Sequence, residues 1–194
     1  MNGILLILLI YSGFSINLML QCALGIKGPV ESKDPLNLHM MIRLSIIFFC
    51  IILLWFFFSR ILYNLIPGMF IYVLLFPVSA VIYNGIEYLI FKYAAKKDIQ
   101  DNPIVSFPGG ITAVSVFICI NLANGIIETV FLSFGFTCGI FLVGLIIREI
   151  RCRAALEEVP FFLRGKPLVL VAMGLLSLIF TTVSLLFFRM IGIE

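Results

Sequence analysis

Long apolar runs separated by short charged or Pro/Gly-rich breaks dominate this chain. The runs fall at roughly 3–26, 38–58, 68–91, 107–125, 129–147 and 167–188. Each reaches the ~20 residues that a helix needs to cross a hydrocarbon core of about 30 Å. A lone segment in lipid can satisfy its own N–H and C=O groups only as a helix. The pattern therefore predicts an all-α membrane protein of six transmembrane helices, forming a single membrane domain over 1–194. The first run lacks a positive leading region and a small-residue cleavage site, so it reads as a retained helix rather than a secretory signal.

Composition closes off other classes. Of 194 residues, 62% are hydrophobic and 12% charged, and mean hydropathy is +1.20. A soluble domain carries about 25% charged residues, and a globule of this size cannot hide so much apolar surface. Disordered, nucleic-acid-binding and ordinary cytosolic classes are thereby excluded, and no nucleic-acid partner is expected.

The placement of positive charge matters more than its net value of +3. The first loop and its flanks carry Lys27, Lys33 and Arg43. The third carries Lys92, Lys96 and Lys97, and the fifth Arg148, Arg151, Arg153, Arg164 and Lys166. Only Arg60 and Arg189 belong to the opposite face. The positive-inside rule then makes loops one, three and five cytoplasmic, with both termini outside, in a multi-pass protein of the cytoplasmic (inner) membrane.

Three helices per half force the second half to enter the membrane from the other side, so 1–97 and 98–194 are expected to be two inverted three-helix repeats. Such repeats place functional sites near the midplane at broken helices. The first helix of each half has candidate breaks: Gly25, Gly28 and Pro29 in one, and Pro108, Gly109 and Gly110 in the other. Ordinary helix ends use the same residues, so half-helices and plain helix ends both remain open.

Among residues with chemistry, Cys22, Cys50, Cys119, Cys138 and Cys152 contain no C-x-x-C pair, which removes a zinc or thioredoxin-like motif and leaves buried free thiols as the ordinary reading. Glu87 is an ionisable residue inside a span, and so a functional candidate; pairing with Lys92 is the blander alternative. Asn17, Asn84, Asn121 and Asn124 suit hydrogen bonds between helices, and Gly135 with Gly139 forms a G-x-x-x-G, a signal for close helix contact. His39, the single histidine, reads as interfacial. The basic fifth loop, facing Glu157 and Glu158, either anchors the chain on anionic lipid or docks an acidic electron carrier.

The stretch 147–187 contains Arg148 and Glu149, then Val159 and Pro160, then Leu163, Arg164 and Gly165, then Met173, Gly174, Leu175 and Ser177. In order and spacing it resembles the C-terminal end of the A subunit of the Rnf complex, which is also the E subunit of the sodium-pumping NADH:quinone oxidoreductase. Asn17 with Leu24 and Gly25, Glu87 near the end of the third helix, and Ile111 with Thr112 after Phe107 extend the likeness. The resemblance implies an integral subunit that pairs with a homologous sibling of opposite topology, alongside flavin- and iron–sulfur-bearing subunits. In that family a [2Fe-2S] cluster is shared between the siblings, one cysteine coming from helix one and one from helix four of each. Electron transfer is coupled there to movement of Na⁺ or H⁺.

This chain departs from that pattern. Lys27 and Ser115 stand where the resemblance implies the two cysteines, and neither replaces thiolate on iron–sulfur iron. Cys22 and Cys119 lie five residues before and four after those places, about one helical turn away, and are the candidate cofactor and metal ligands. Glu87, Lys27, Ser115, Gly25, Pro29 and Asn17 are the candidates for ion coupling or helix breaking. The expected function is a membrane subunit of an ion-translocating electron transport complex, inactive alone. A small inverted-repeat secondary transporter and a structural assembly subunit are the alternatives.

Overall fold

The computed structural model describes residues 2–21, 38–62, 68–90, 92, 108–156 and 166–191. Among these the chain is helical almost throughout. The first apolar segment forms α1 (Asn2–Ile10), a π-helical turn (Tyr11–Ser15) and the short α2 (Leu18–Gln21). The second forms α3 (Leu38–Phe56), which runs into a π-helix (Phe57–Leu62). Then follow α4 (Gly68–Ile90), α5 (Pro108–Leu122), α6 (Ile126–Leu156) and α7 (Lys166–Ile191).

Among the described residues, four stretches are long and apolar enough to cross a membrane: Gly3–Leu20, Phe70–Ile90, Ile126–Ala154 and Pro167–Met190; Leu44–Arg60 and Gly109–Leu122 are shorter apolar helices. The outer faces support the same environment. Val73, Val81, Leu178 and Met190 are at least 67% exposed, and continuous exposed apolar surface of that kind has a favourable solvent only in lipid. The protein is a helical membrane protein.

Boundaries differ from the apolar windows in two places. The fifth apolar run, as α6, continues well past residue 147, its 31 residues spanning about 46 Å at 1.5 Å per residue. Arg148, Arg151 and Arg153 therefore sit on helix rather than in a loop, because no Gly or Pro interrupts 145–156 and Arg153 Nε donates to Glu149 Oε1 at 2.9 Å one turn back. The fourth run, as α5, is the opposite case. Its 15 residues give only about 22 Å, after which the chain turns at 123–125 and re-enters as α6.

The expected helix breaks move as well. Pro108 is the first residue of α5, a position where its missing N–H costs nothing, and Gly109 and Gly110 lie inside that helix rather than ending it. Gly25, Gly28 and Pro29 lie outside the described residues. The discontinuity that is described in the first segment falls earlier, at Ile16 and Asn17.

The first segment packs on elements distant from it in the chain. The α1, π-turn and α2 segments pack on α6 and α7, whereas α5 packs on α4 and α3, and α3 meets α6 in the middle. The core so formed includes Ile51, Leu54 and Phe58 from the α3 segment, Leu75 and Tyr83 from α4, Val116 from α5, and Leu132 and Val143 from α6.

Candidate functional site

Two buried strips of small and polar residues run along α6. Thr129, Ser133 and Thr137 repeat every four residues on one face, all buried. Each hydroxyl donates one turn back, to Gly125 O (3.1 Å), Thr129 O (2.7 Å) and Ser133 O (2.9 Å). This is the usual way for Ser and Thr to meet their hydrogen-bond needs inside an apolar helix. Gly135 and Gly139 form the second strip, about 140° around the helix at 3.6 residues per turn. A side chain has no room there. A Cβ at Gly135 would overlap Ser12 Oγ and come 2.6 Å from Leu9 O, and one at Gly139 would come 2.6 Å from Gly13 O. The G-x-x-x-G signal thus marks where the first segment lies directly on α6, with Gly13 facing back so that its own would-be Cβ stands 3.2 Å from Gly135 O.

Against this crossing stands Asn17, only 2% exposed. The Ile16 N–H donates to Tyr11 O at 2.9 Å, the wide turn of a π-helix, and the chain then leaves helical geometry. Asn17 repairs the gap. Its Nδ2 donates to Gly13 O at 3.1 Å, and its Oδ1 accepts from Met19 N–H at 3.2 Å and Leu20 N–H at 3.4 Å. The latter pair is the N-cap arrangement for the second and third residues of α2. The hydrogen bonds described for Asn17 therefore close its own chain rather than bridging two helices.

The other asparagines divide. Asn121 does bridge helices, since Tyr72 of α4 donates its hydroxyl to Asn121 Oδ1 of α5 at 3.2 Å. The Asn124 N–H donates to Glu128 Oε2 at 2.8 Å, with the third residue of α6 reaching back to steady the helix start as in a capping box. Asn84 is exposed on α4.

Ser115 and Cys119, one turn apart on α5, are both 0% exposed. Ser115 Oγ donates to Ile111 O at 2.7 Å, Thr112 Oγ1 donates to Gly109 O at 2.8 Å, and the Cys119 side chain hydrogen-bonds with Ser133 of α6. Cys50 is also buried, Cys138 half-buried and Cys152 exposed, all as free thiols. Cys22 and Lys27 lie outside the described residues. Among the described residues no three His, Cys, Asp or Glu side chains come together as a metal-binding group.

An iron–sulfur cluster shared with a sibling subunit requires thiolates at the surface where the two chains meet. Cys119 does not fit that requirement, because its own chain covers it completely and its neighbour is a hydroxyl of α6. Ser115, turned onto its own backbone, fits no better.

Glu87 lies in a buried row along α4 with Ile71, Leu75, Ser79 and Tyr83, spaced by four and each no more than 4% exposed. Lys92 stands beyond the helix end with its Nζ 5.4 Å from the Tyr88 ring centroid. His39 lies in the first turn of α3.

Compared with known proteins, the chain matches no family model and no curated sequence. The functional candidates are accordingly carried by geometry and by the motifs already quoted. The four-residue recurrence of Gly125, Thr129, Ser133 and Thr137 marks Ser133 in the sequence, and Ser79 precedes Tyr83 by the same interval, whereas no such recurrence marks Ser12 or Thr112.

The surface pair at the end of α6 is of another kind. Arg153 and Glu149 have side chains 73% and 63% exposed, and solvent-exposed pairs of this spacing contribute about 0.3–0.5 kcal/mol. Glu149→Gln is expected to leave the unfolding midpoint in detergent within error of the parent chain.

Proposed function

We propose that this protein is an integral, non-catalytic subunit of an Rnf-like ion-translocating electron transport complex, built as two inverted three-helix repeats and paired with a homologous membrane chain. One observation carries the proposal beyond the motifs of 147–187: the reciprocal exchange in which the first segment packs on α6 and α7 while α5 packs on α3 and α4. A pseudo-twofold axis through the contact of α3 with α6 would produce that exchange, since it interchanges helices one and four, two and five, and three and six. Inverted repeats of this type hold their functional elements at discontinuous helices in the membrane interior, and the break at Ile16 and Asn17 and the short α5 are the candidates for such elements here.

In this reading the subunit contributes the ion-coupling half of the complex, and no electron-transfer step is assigned to it. Glu87 is the carboxylate that would take part, held within a span beside Tyr83, where burial makes charge expensive and a compensating cation favourable. The buried hydroxyls of α5 and α6 donate to backbone carbonyls and so keep oxygen lone pairs available for polar contact in the helix interior.

The experiment is purification of the complex from native membranes through a tag on this chain, with flavin, iron and ion-dependence measured together. Co-purifying flavoprotein subunits are expected, with an iron content that Cys119→Ala does not change. Glu87→Gln is expected to retain assembly while lowering the stimulation of electron transfer by Na⁺ or H⁺ by at least about tenfold, the scale of losing one charge-assisted contact. Isolation of the chain without redox partners, together with substrate flux by the chain alone in liposomes, would replace this reading with that of a small secondary transporter.

A further inference from the structure

The buried row of α4, from Ile71 to Glu87, marks the face that this helix turns to its own chain. Phe70, Leu74, Pro77, Val81, Asn84 and Tyr88 form a second row, spaced by four, three, four, three and four residues, and every one of them is exposed. At 3.6 residues per turn this row runs along the opposite side of the helix. An average spacing of about 3.5 residues keeps such positions in one line, the seam of paired helices.

Five of the six residues suit lipid as well as protein. Asn84 does not. The apolar stretch Phe70–Ile90 has 21 residues and rises about 30 Å from first to last, the thickness of a hydrocarbon core. Asn84 stands six residues before its end, about 9 Å inside, too deep for so short a side chain to reach headgroups. Asn17 and Asn121 each donate to a backbone carbonyl one turn back, whereas the Asn84 carboxamide makes no hydrogen bond among the described residues. An unpaired amide in an apolar medium is costly, so whatever covers this face carries hydrogen-bonding groups at the same depth.

A carboxamide has two donors and an acceptor oxygen, so two Asn84 side chains satisfy each other. Copies of one chain inserted the same way are related by a twofold axis along the membrane normal. That axis runs the two α4 helices parallel and sets each residue opposite its own counterpart. A single Asn in a heptad-spaced seam is the arrangement that fixes register and partner number in paired helices, and polar side chains hold helices together in lipid. A helix of different sequence would need a polar group at the same depth; a copy has it by identity. Lys92 follows the stretch by two residues, its ammonium 5.4 Å from the Tyr88 ring centroid. There, outside the apolar stretch, water and salt screen the repulsion between two copies.

We propose that the exposed row of α4 is the interface of a parallel homodimer, closed by a hydrogen-bonded pair of Asn84 side chains in the membrane interior. The contact joins two identical chains and does not depend on the redox reading above.

The full chain, labelled in separate batches with donor and acceptor fluorophores and reconstituted together in phosphatidylcholine vesicles, reports self-association by energy transfer. Transfer is expected to exceed that of chains mixed at random at the same density and to fall as lipid is added. Asn84→Leu should raise the dissociation constant about five- to thirtyfold, the equivalent of about 1–2 kcal/mol for a polar contact between helices. Asn84→Gln, which keeps the donors and the acceptor, should stay close to the parent. Oxidative cross-linking supplies a second measurement with Asn84 intact. Val81→Cys should form a disulfide-linked dimer above the background of the parent's own cysteines, and Phe76→Cys, also at an exposed position but about 140° around the helix, should not. Energy transfer at the random level at every dilution, an unchanged dissociation constant in Asn84→Leu, or cross-linking no stronger from Val81→Cys than from Phe76→Cys would overturn the proposal. Cross-linking of Val81→Cys in native membranes to a different protein, in place of a second copy, would overturn it as well.

Discussion

Leucine in place of Gly135 or Gly139 is expected to eliminate most of the folded protein. At Gly139 even the first carbon of a side chain would stand 2.6 Å from Gly13 O and 3.0 Å from Asn17 Nδ2. At Gly135 it would overlap Ser12 Oγ, and at both positions backbone of the first segment is among the atoms met, which cannot rotate out of the way. Overpacking of a well-fitted interior costs about 1–3 kcal/mol where neighbours can shift, and here the alternative is separation of α1 from α6. Helices in lipid are held together by close van der Waals approach rather than by a hydrophobic driving force, so loss of that approach removes most of what positions the first segment. The check is yield of monodisperse chain in mild detergent, with Gly85→Leu and Gly174→Leu as controls. Neither control position has an atom within 4 Å of a would-be Cβ, and both variants should behave as the parent. Normal yield of Gly139→Leu would mean that the first segment does not lie on α6 as described.

Asn17→Leu is expected to have the next largest effect. It leaves the Met19 and Leu20 N–H groups and the Gly13 carbonyl without the side-chain partners they have at 3.2, 3.4 and 3.1 Å. Leu20 N–H keeps its contact with Asn17 O at 3.1 Å, so the principal orphans are Met19 N–H and Gly13 C=O. Each buried unsatisfied group costs about 1–3 kcal/mol, and no water in a bilayer interior is at hand to replace the bond. The unfolding free energy in mixed detergent titrations should fall by about 2–6 kcal/mol on that basis. Faster amide exchange confined to residues 11–21 would localise the effect to the break. An Asn17→Leu protein as stable as the parent would mean that the discontinuity is satisfied by some other group.

Different parts of this architecture are readable at different levels. The helical class and the approximate spans follow from hydropathy, because lipid leaves a backbone no other way to pair its polar groups. Helix ends are less readable, since hydropathy reports where lipid contact ends and not where helical hydrogen bonding does. That is why α6 runs through Arg148 and Arg153, while α5 stops at Leu122. The pair of Gly135 and Gly139 is visible as a motif, but its partner is not. Nothing in the spacing says that Ser12 and Gly13 are what lies against it.

The candidate site divides along the same line. Asn17 stands out as a polar residue in an apolar run, and the residue type suggests a bridge between helices. Its hydrogen bonds turn instead onto its own backbone, because the π-helical turn at Tyr11–Ser15 leaves groups there that need partners. Cys119 and Ser115 can be placed one turn apart by counting. Whether that turn faces a sibling chain or the protein's own interior depends on rotation about the helix axis, and the packing of α5 against α3 and α4 turns both inward.

The solvent of this protein follows from its residues without any coordinates, since 62% hydrophobic residues in runs of spanning length are compatible only with a bilayer. Helicity follows with it, through the backbone's need for internal hydrogen bonds, and so does the short roll of polar groups that the bilayer has to tolerate. Which of those groups meet is settled only by packing. A helical period of 3.6 residues fixes which side chains share a face but not which neighbour that face touches. In lipid the choice of neighbour is made by the fit of small residues across a crossing, a property of two segments far apart in the chain.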